Sequence, residues 1–224
     1  MKRLSFSKPP ALPFNYIPRP NLQEALNQAA HCSLTFVHAP SGYGKSLGVA
    51  HWLQSQDSLN VRWSDFSAEN QHTNTAIETV IADLFQLTGN TCPRYWVLDH
   101  FPQHLDVRVQ NDLCATFRRH PNLHLFILSQ QLPLSLYVQA VNHRQQCNVI
   151  STETLRFQSA EVRAIYALHH HHLSPGETQQ ILSITQGWPV GIQQMVKTHG
   201  QNATPVPRPP GRTSQTCYKK RDRV

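Results

Sequence analysis

Leu34-Thr35-Phe36-Val37-His38-Ala39-Pro40-Ser41-Gly42-Tyr43-Gly44-Lys45-Ser46 is the stretch whose reading decides the fold. Its first part, through Ala39, is a short β-rich run of the kind that fills a buried strand, and a helical pattern runs from Lys45 to about Gln54. Between them, Ala39 to Ser46 fits the P-loop pattern, with alanine in place of the first glycine. Gly42 and Gly44 let consecutive backbone N–H groups turn inward around phosphate oxygens, where a β-carbon would interfere. The helix that follows aims its unpaired N–H groups and its positive dipole end at the same anion. Lys45 is then placed to bridge the β- and γ-phosphates, and the Ser46 hydroxyl to ligate Mg2+. The competing reading is a glycine turn that a lysine happens to follow. A strand before and a helix after are what the phosphate-binding mechanism requires, and both are predicted here.

Outward from this loop, strands and helical patterns alternate. Residues 1–20 are proline-rich and end in Ile17-Pro18-Arg19-Pro20, an extended segment. Asn21 is placed to cap a short helix through Leu22, Ala25, Leu26 and Ala29. Further strands are predicted at Val61-Arg62-Trp63, Tyr95-Trp96-Val97-Leu98, Leu123 to Leu128 and Asn148-Val149-Ile150. Helices are predicted from about Thr73 to Leu87, burying Ile77, Val80, Ile81 and Leu84, and from Val107 to Arg119. The alternation implies βαβ units and a parallel sheet covered on both faces. From Ser159 onward the period is helical only. The predicted architecture is α/β: a P-loop NTPase fold with a three-layer α/β/α parallel sheet, followed by a small helical lid. Its parts are an extended leading segment and first helix (1–33), the α/β core (34–153), the helical lid (154–199) and a disordered, basic, Pro-rich tail (200–224).

The chain has 224 residues, 15% charged and 39% hydrophobic, a globular rather than a disordered or membrane composition. Its net charge of +7 is unevenly placed. Residues 201–224 hold Arg208, Arg212, Lys219, Lys220, Arg221 and Arg223 against Asp222 alone, which leaves only +2 for the first 200 residues. A nearly neutral body argues against a broad nucleic-acid-binding face, so direct DNA binding is not expected. Cys32, Cys92, Cys114, Cys147 and Cys217 are odd in number and never form a CxxC pair, which suits idle reduced thiols rather than a disulfide framework or zinc site. Lys8, Pro9, Pro10 and Pro13 interrupt any signal-peptide core, and no run approaches the ~18 apolar residues of a membrane span. The expectation is a soluble, cytoplasmic chain with no membrane partner.

A P-loop protein also needs a carboxylate at the end of a buried strand to organise Mg2+. Tyr95-Trp96-Val97-Leu98-Asp99 supplies one. The alternative role for Asp99, capping the following helix, is less favoured downstream of a phosphate loop.

With these residues in hand, the chain resembles the N-terminal nucleotide-binding region of MalT-like, LuxR-type transcriptional regulators, a branch of the STAND class of signal-transduction NTPases. The likeness runs from about Ile17 to Gln194. Ile17-Pro18-Arg19-Pro20-Asn21-Leu22 resembles the family motif near the nucleotide base, and Ala39 to Ser46 is close to the family's loop, including Tyr43 between the glycines. Leu128-Ser129-Gln130-Gln131-Leu132-Pro133 resembles its sensor segment; Leu155-Arg156-Phe157 and Gln186-Gly187-Trp188-Pro189 resemble its helical lid. The resemblance implies ATP and Mg2+ as ligands, held by Arg19, Ala39, Pro40, Ser41, Gly42, Tyr43, Gly44, Lys45, Ser46 and Asp99, with Pro189 against the base. Ser46 and Asp99 would be the magnesium ligands.

Two departures bear on turnover. The family's magnesium-binding Asp is followed by a second acid, and here Asp99 is followed by His100. The family's sensor Ser is followed by Arg, and here Ser129 is followed by Gln130. Loss of such transition-state charge stabilisation costs orders of magnitude in rate, whereas ground-state binding rests on the loop and Lys45, which are retained. His100 can in principle serve as a base, or be an idle replacement. The expected function is an ATP/Mg2+-binding signalling switch with weak or no hydrolysis, at most a slow ATPase, offering its closed state to a protein partner or to another copy. The alternatives are an active ATPase that uses His100, and a non-nucleotide interaction remnant of a truncated gene. The family's helical sensor repeats and helix-turn-helix do not fit in residues 201–224, which suits a truncated or frame-shifted product or a genuine short tail. The His169–His172 tract reads as a solvent-exposed run at a helix end, the Lys219-Lys220-Arg221-Asp222-Arg223 cluster as a solvated tail, and Trp63, Trp96 and Trp188 as core or lid packing.

Overall fold

The computed structural model describes residues 7–56, 61–67, 73–86, 94–120 and 122–198. Five parallel strands form one sheet: β1 (Leu34–His38), β2 (Val61–Asp65), β3 (Tyr95–Asp99), β4 (His124–Ser129) and β5 (Cys147–Ile150), in the order β2-β3-β4-β1-β5. Helices α1 (Pro20–Ala29), α2 (Lys45–Gln54), α3 (Thr73–Gln86), α4 (Val107–Arg119) and α5 (Leu134–Asn142) flank it, and α6 (Thr152–Leu155), α7 (Ser159–Ala167), α8 (Pro175–Thr185) and α9 (Pro189–Thr198) follow the last strand. This is an α/β P-loop fold. The strand order places β4 between β1 and β3, so the chain leaving β4 emerges between the phosphate loop and Asp99.

Period-two alternation sorts the central strands between two cores. Leu34, Phe36, Trp96, Leu98, Leu125 and Ile127 pack with Ile77 and Val80 of α3, Leu113 of α4 and Leu136 of α5. Val37, Tyr95, Val97, Phe126 and Leu128 pack with Leu22 and Leu26 of α1 and Val49 and Trp52 of α2. Trp52 meets Tyr95 and Phe126 edge-on, at ring separations of 5.4 and 5.5 Å, and its Nε1–H donates to Asn27 Oδ1 at 2.8 Å, which ties α2 to α1. The strands are apolar on both sides, as a doubly covered parallel sheet demands.

A third core joins the last helices: Val162, Ile165 and Tyr166 of α7, Ile181 of α8, and Ile192 and Val196 of α9, with Ile17 and Phe157 packed among them. Helix α8 starts at a capping box. The Glu177 N–H donates to Ser174 Oγ at 3.3 Å, while the Glu177 carboxylate accepts from the Ser174 N–H at 2.8 Å. Ser174→Ala should therefore lower stability by about 1 kcal/mol; urea melts of the two proteins measure it, and an unchanged midpoint would refute the cap's contribution.

One expectation changes, two short helices are added, and the histidine tract lies exposed at a helix end as expected. Helix α1 begins at Pro20, with Arg19 in the N-cap position, so Asn21 lies inside the helix rather than capping it; proline is favoured at the first helical position because its missing N–H is not needed there. Helices α5 and α6 were not anticipated. The histidine tract follows α7 in a turn, with His170 at a φ of 61°, and its side chains are largely exposed. Cys92, Cys217, the end of the predicted helix at Leu87, the side chain of Leu84 and the tail after Thr198 lie outside the described residues. Among the described residues no helix is long and apolar enough to cross a membrane.

Candidate functional site

The phosphate loop joins β1 to α2. Gly42 and Gly44 stand at φ values of 84° and 71°, the left-handed region that side-chain-bearing residues avoid. Gly44 is the N-cap of α2, and no side chain caps that helix. The free amides of its first turn therefore open onto a cavity of about 600 Å³, whose wall includes Gly42, Gly44, Lys45 and Ser46. Backbone amides without β-carbons, at an uncapped helix start, fit a phosphate group.

Lys45 is half-buried, and its Nζ donates to the carbonyls of Ala39 at 2.7 Å and Pro40 at 3.2 Å. Burial lowers its pKa, and the charge of Asp99 opposes that. Asp99, 4% exposed at the end of β3, is pushed above the usual carboxylate range by burial, partly offset by a hydrogen bond from Ser46 and by His100. The two predicted Mg2+ ligands, Ser46 and Asp99, are thus in contact, and an oxygen donor pair beside the loop suits a hard divalent cation.

One acid was not foreseen. Asp65 ends β2 in register opposite Asp99. His100, in the left-handed region at a φ of 53°, brings Nδ1 within 2.8 Å of Asp65 Oδ1 and 3.8 Å of Asp99 Oδ1, while its backbone N–H donates to Asp99 Oδ1 at 2.9 Å. Burial pushes the Asp65 carboxyl up, but the Ser67 N–H and His100 more than compensate and hold it below the usual range. The signal for Asp65 was an acid closing a strand, but its partnership needs the register of β2 on β3, which no local pattern reveals.

Arg19 is 4% exposed. Its Nη1 donates to the Tyr43 carbonyl at 3.0 Å, its Nη2 to the Leu155 carbonyl, and its guanidinium lies 5.3 Å from the Phe157 ring centre. Arg19 thus brackets the phosphate loop to the start of the helical part. The cavity wall also includes Arg19, Ser41, His100, Ser129, Gln130 and Pro189 from the expected set and Ile17 and Phe157 from the quoted motifs, together with Pro13, Tyr16 and Gln193, which sequence reasoning did not single out. Ala39, Pro40, Tyr43 and Asp99 do not form its wall; Ala39 and Tyr43 are buried in the core beneath the loop. Gln130 is exposed, and Ser129 is buried with its hydroxyl donating to the Gln131 carbonyl at 2.7 Å. Pro189 is buried at the start of α9. Among the described residues no group of three or more His, Cys, Asp or Glu forms a metal cluster.

The parallel sheet, the glycine loop on β1 and the acid at the end of β3 define a P-loop α/β protein. A solved structure with this fold is the Walker-type ATPase paby2304 of Pyrococcus abyssi, at a TM-score of 0.57 and 12% identity, covering 83% of this chain and 68% of that one. In sequence, the chain resembles the N-terminal P-loop NTPase region of MalT-like transcriptional regulators. It is 24% identical over 212 residues to the HTH-type transcriptional regulator MalT of Yersinia pestis (strain Pestoides F), and 26% identical over 214 residues to that of Serratia proteamaculans (strain 568). Each alignment covers 80% of this chain and 23% of the relative, so the chain spans about a quarter of the length of the regulators it matches. No protein-family model matches the chain.

Proposed function

We propose that this chain is the nucleotide-binding switch module of a MalT-like regulator, taking ATP with Mg2+ and hydrolysing it slowly or not at all. The observation that supports this most directly is the uncapped, glycine-built start of α2 facing a cavity of about 600 Å³ beside Lys45. Gly42, Gly44, Lys45 and Ser46 would hold the phosphates, Ser46 and Asp99 the Mg2+, and Pro189, Tyr16 and Phe157 would flank the base. Mg2+ supplies neutralising charge to the phosphates when bound. We divide the chain into a leading segment and first helix (1–33), a core (34–153), a lid (154–199) and a basic tail (200–224). The closed form would be offered to a protein partner or a second copy, and direct DNA binding by this chain is not expected. Cytoplasmic location and membership of the STAND and LuxR groupings belong to the same proposal.

A second reading, an active ATPase, is favoured by one contact: Asp65 holds His100 by its Nδ1 at the wall of the cavity, as an oriented base requires. Thermal melts with Mg-ATP, Mg-ADP and no nucleotide, read beside phosphate release, separate the possibilities. Mg-ATP at ~100 times its dissociation constant should add about 2.7 kcal/mol of stability, and Lys45→Ala should abolish the gain. A stable protein whose melt ignores both nucleotides would refute the switch and point to an interaction remnant. Phosphate release lost on His100→Ala would favour the enzyme instead.

A further inference from the structure

Trp188 touches the phosphate loop from the helical side, and no role beyond packing was foreseen for it. A β-carbon on Gly42 would lie 2.7 Å from Trp188 Nε1, and one on Gly191 would lie 2.6 Å from Trp188 Cε3. Both approaches are closer than real β-carbons come, so the indole occupies a slot that exists because the loop on one side and α9 on the other each present a glycine.

Two hydrogen bonds fix the loop from this slot. Trp188 Nε1–H donates to the Ser41 carbonyl at 3.2 Å, and the Val190 N–H donates to the Gly42 carbonyl at 3.3 Å. A peptide unit is planar and trans, so its C=O and the next residue's N–H point in opposite directions. Holding the Ser41 and Gly42 carbonyls toward the helical part therefore sets the Gly42 and Tyr43 N–H groups in the opposite sense. A loop that gathers phosphate with its amides depends on that orientation being set before the anion arrives.

We propose that Trp188 is a positioning residue of the nucleotide site: wedged between Gly42 and Gly191, its indole N–H holds the loop's peptides in the anion-gathering orientation and ties loop occupancy to the helical part. The nucleotide part of this inference rests on the function proposed above; the orientation of the loop does not.

The experiment compares the wild-type 224-residue chain with Trp188→Phe, which keeps a ring and loses the N–H donor, and Gly191→Ala, which drives a β-carbon into the indole without touching the loop. Amide hydrogen exchange is followed at residues 41–46 and in β1 and β4 of the nucleotide-free proteins, and Mg-ATP affinity is measured by calorimetry. Both variants should exchange faster at residues 41–46 with β1 and β4 unchanged, and should bind Mg-ATP roughly tenfold more weakly, the worth of one hydrogen bond. Loop exchange equal to wild type in both variants overturns the proposal. So does faster exchange spread through β1 and β4, the signature of general destabilisation. If wild type itself takes up no Mg-ATP, the functional reading falls, and the exchange comparison still decides the role of Trp188.

Discussion

Arg19→Ala should cost about 3–5 kcal/mol of folding stability, because it takes the donor from two carbonyls and the nearby cation from a buried carboxylate. The guanidinium is buried and satisfies two backbone carbonyls, Tyr43 in the phosphate loop and Leu155 at the end of α6. Its removal strands both, each at a cost of about 1–3 kcal/mol. It also takes the nearby cation from the buried Glu161 carboxylate. Burial lowers the pKa of Arg19, yet an arginine keeps its charge in proteins, so the native state carries a buried cation that only these partners justify. Arg19→Lys should rescue little, because one ammonium cannot span two carbonyls that a planar fork reaches together. Urea denaturation of the three proteins measures the effect; a variant within about 1 kcal/mol of wild type would show the bracket to be dispensable.

Acid should destabilise the fold by about 3 kcal/mol through His124 alone. Burial holds this imidazole's pKa down at about 4 from 6.5, with only the backbone of Ala30 pulling the other way. Around it stand Thr35, whose Oγ1 is 2.9 Å from Nε2, Phe126 stacked at 4.3 Å, and Tyr95 at 5.9 Å. Above pH 6.5 the ring is neutral in both folded and unfolded chains, so it contributes no pH dependence. As the pH falls from 6.5 toward 4, the unfolded chain takes up a proton that the native core refuses, and stability is lost across that window. The shifts of His38 and His51, both lowered chiefly by burial, act in the same direction. His124→Gln, which keeps an amide beside Thr35, isolates the largest of the three. Its stability profile should be flatter than that of wild type by about the stated amount, and parallel profiles would disprove the assignment.

The phosphate loop was legible because its chemistry is local. Strand, glycines, lysine and helix follow one another in the chain, and α2 runs from Lys45 to Gln54 as its pattern predicted. Helix α5 was not legible, because its apolar residues point two ways: Leu136 and Ala140 are buried while Leu134, Val138 and Val141 are exposed, which blurs the single stripe that marks a helix. The four residues of α6 are too few to show a period. Asp65 and Arg19 illustrate a different limit. An acid after Trp63-Ser64 has no special meaning until β2 pairs with β3, and nothing in Pro18-Arg19-Pro20 reveals that the guanidinium meets carbonyls of Tyr43 and Leu155. Such contacts come from strand register and chain crossing, which a linear pattern does not encode.

The place of β5 has a mechanical consequence. It lies directly beside β1, with Ile150 opposite Val37, so the chain steps off the sheet about one strand spacing from the root of the phosphate loop and turns at once into α6. Helices α6 to α9 are thereby moored at their first residue next to the loop, and the contacts of Trp188 and Val190 with Ser41 and Gly42 moor them a second time at the start of α9.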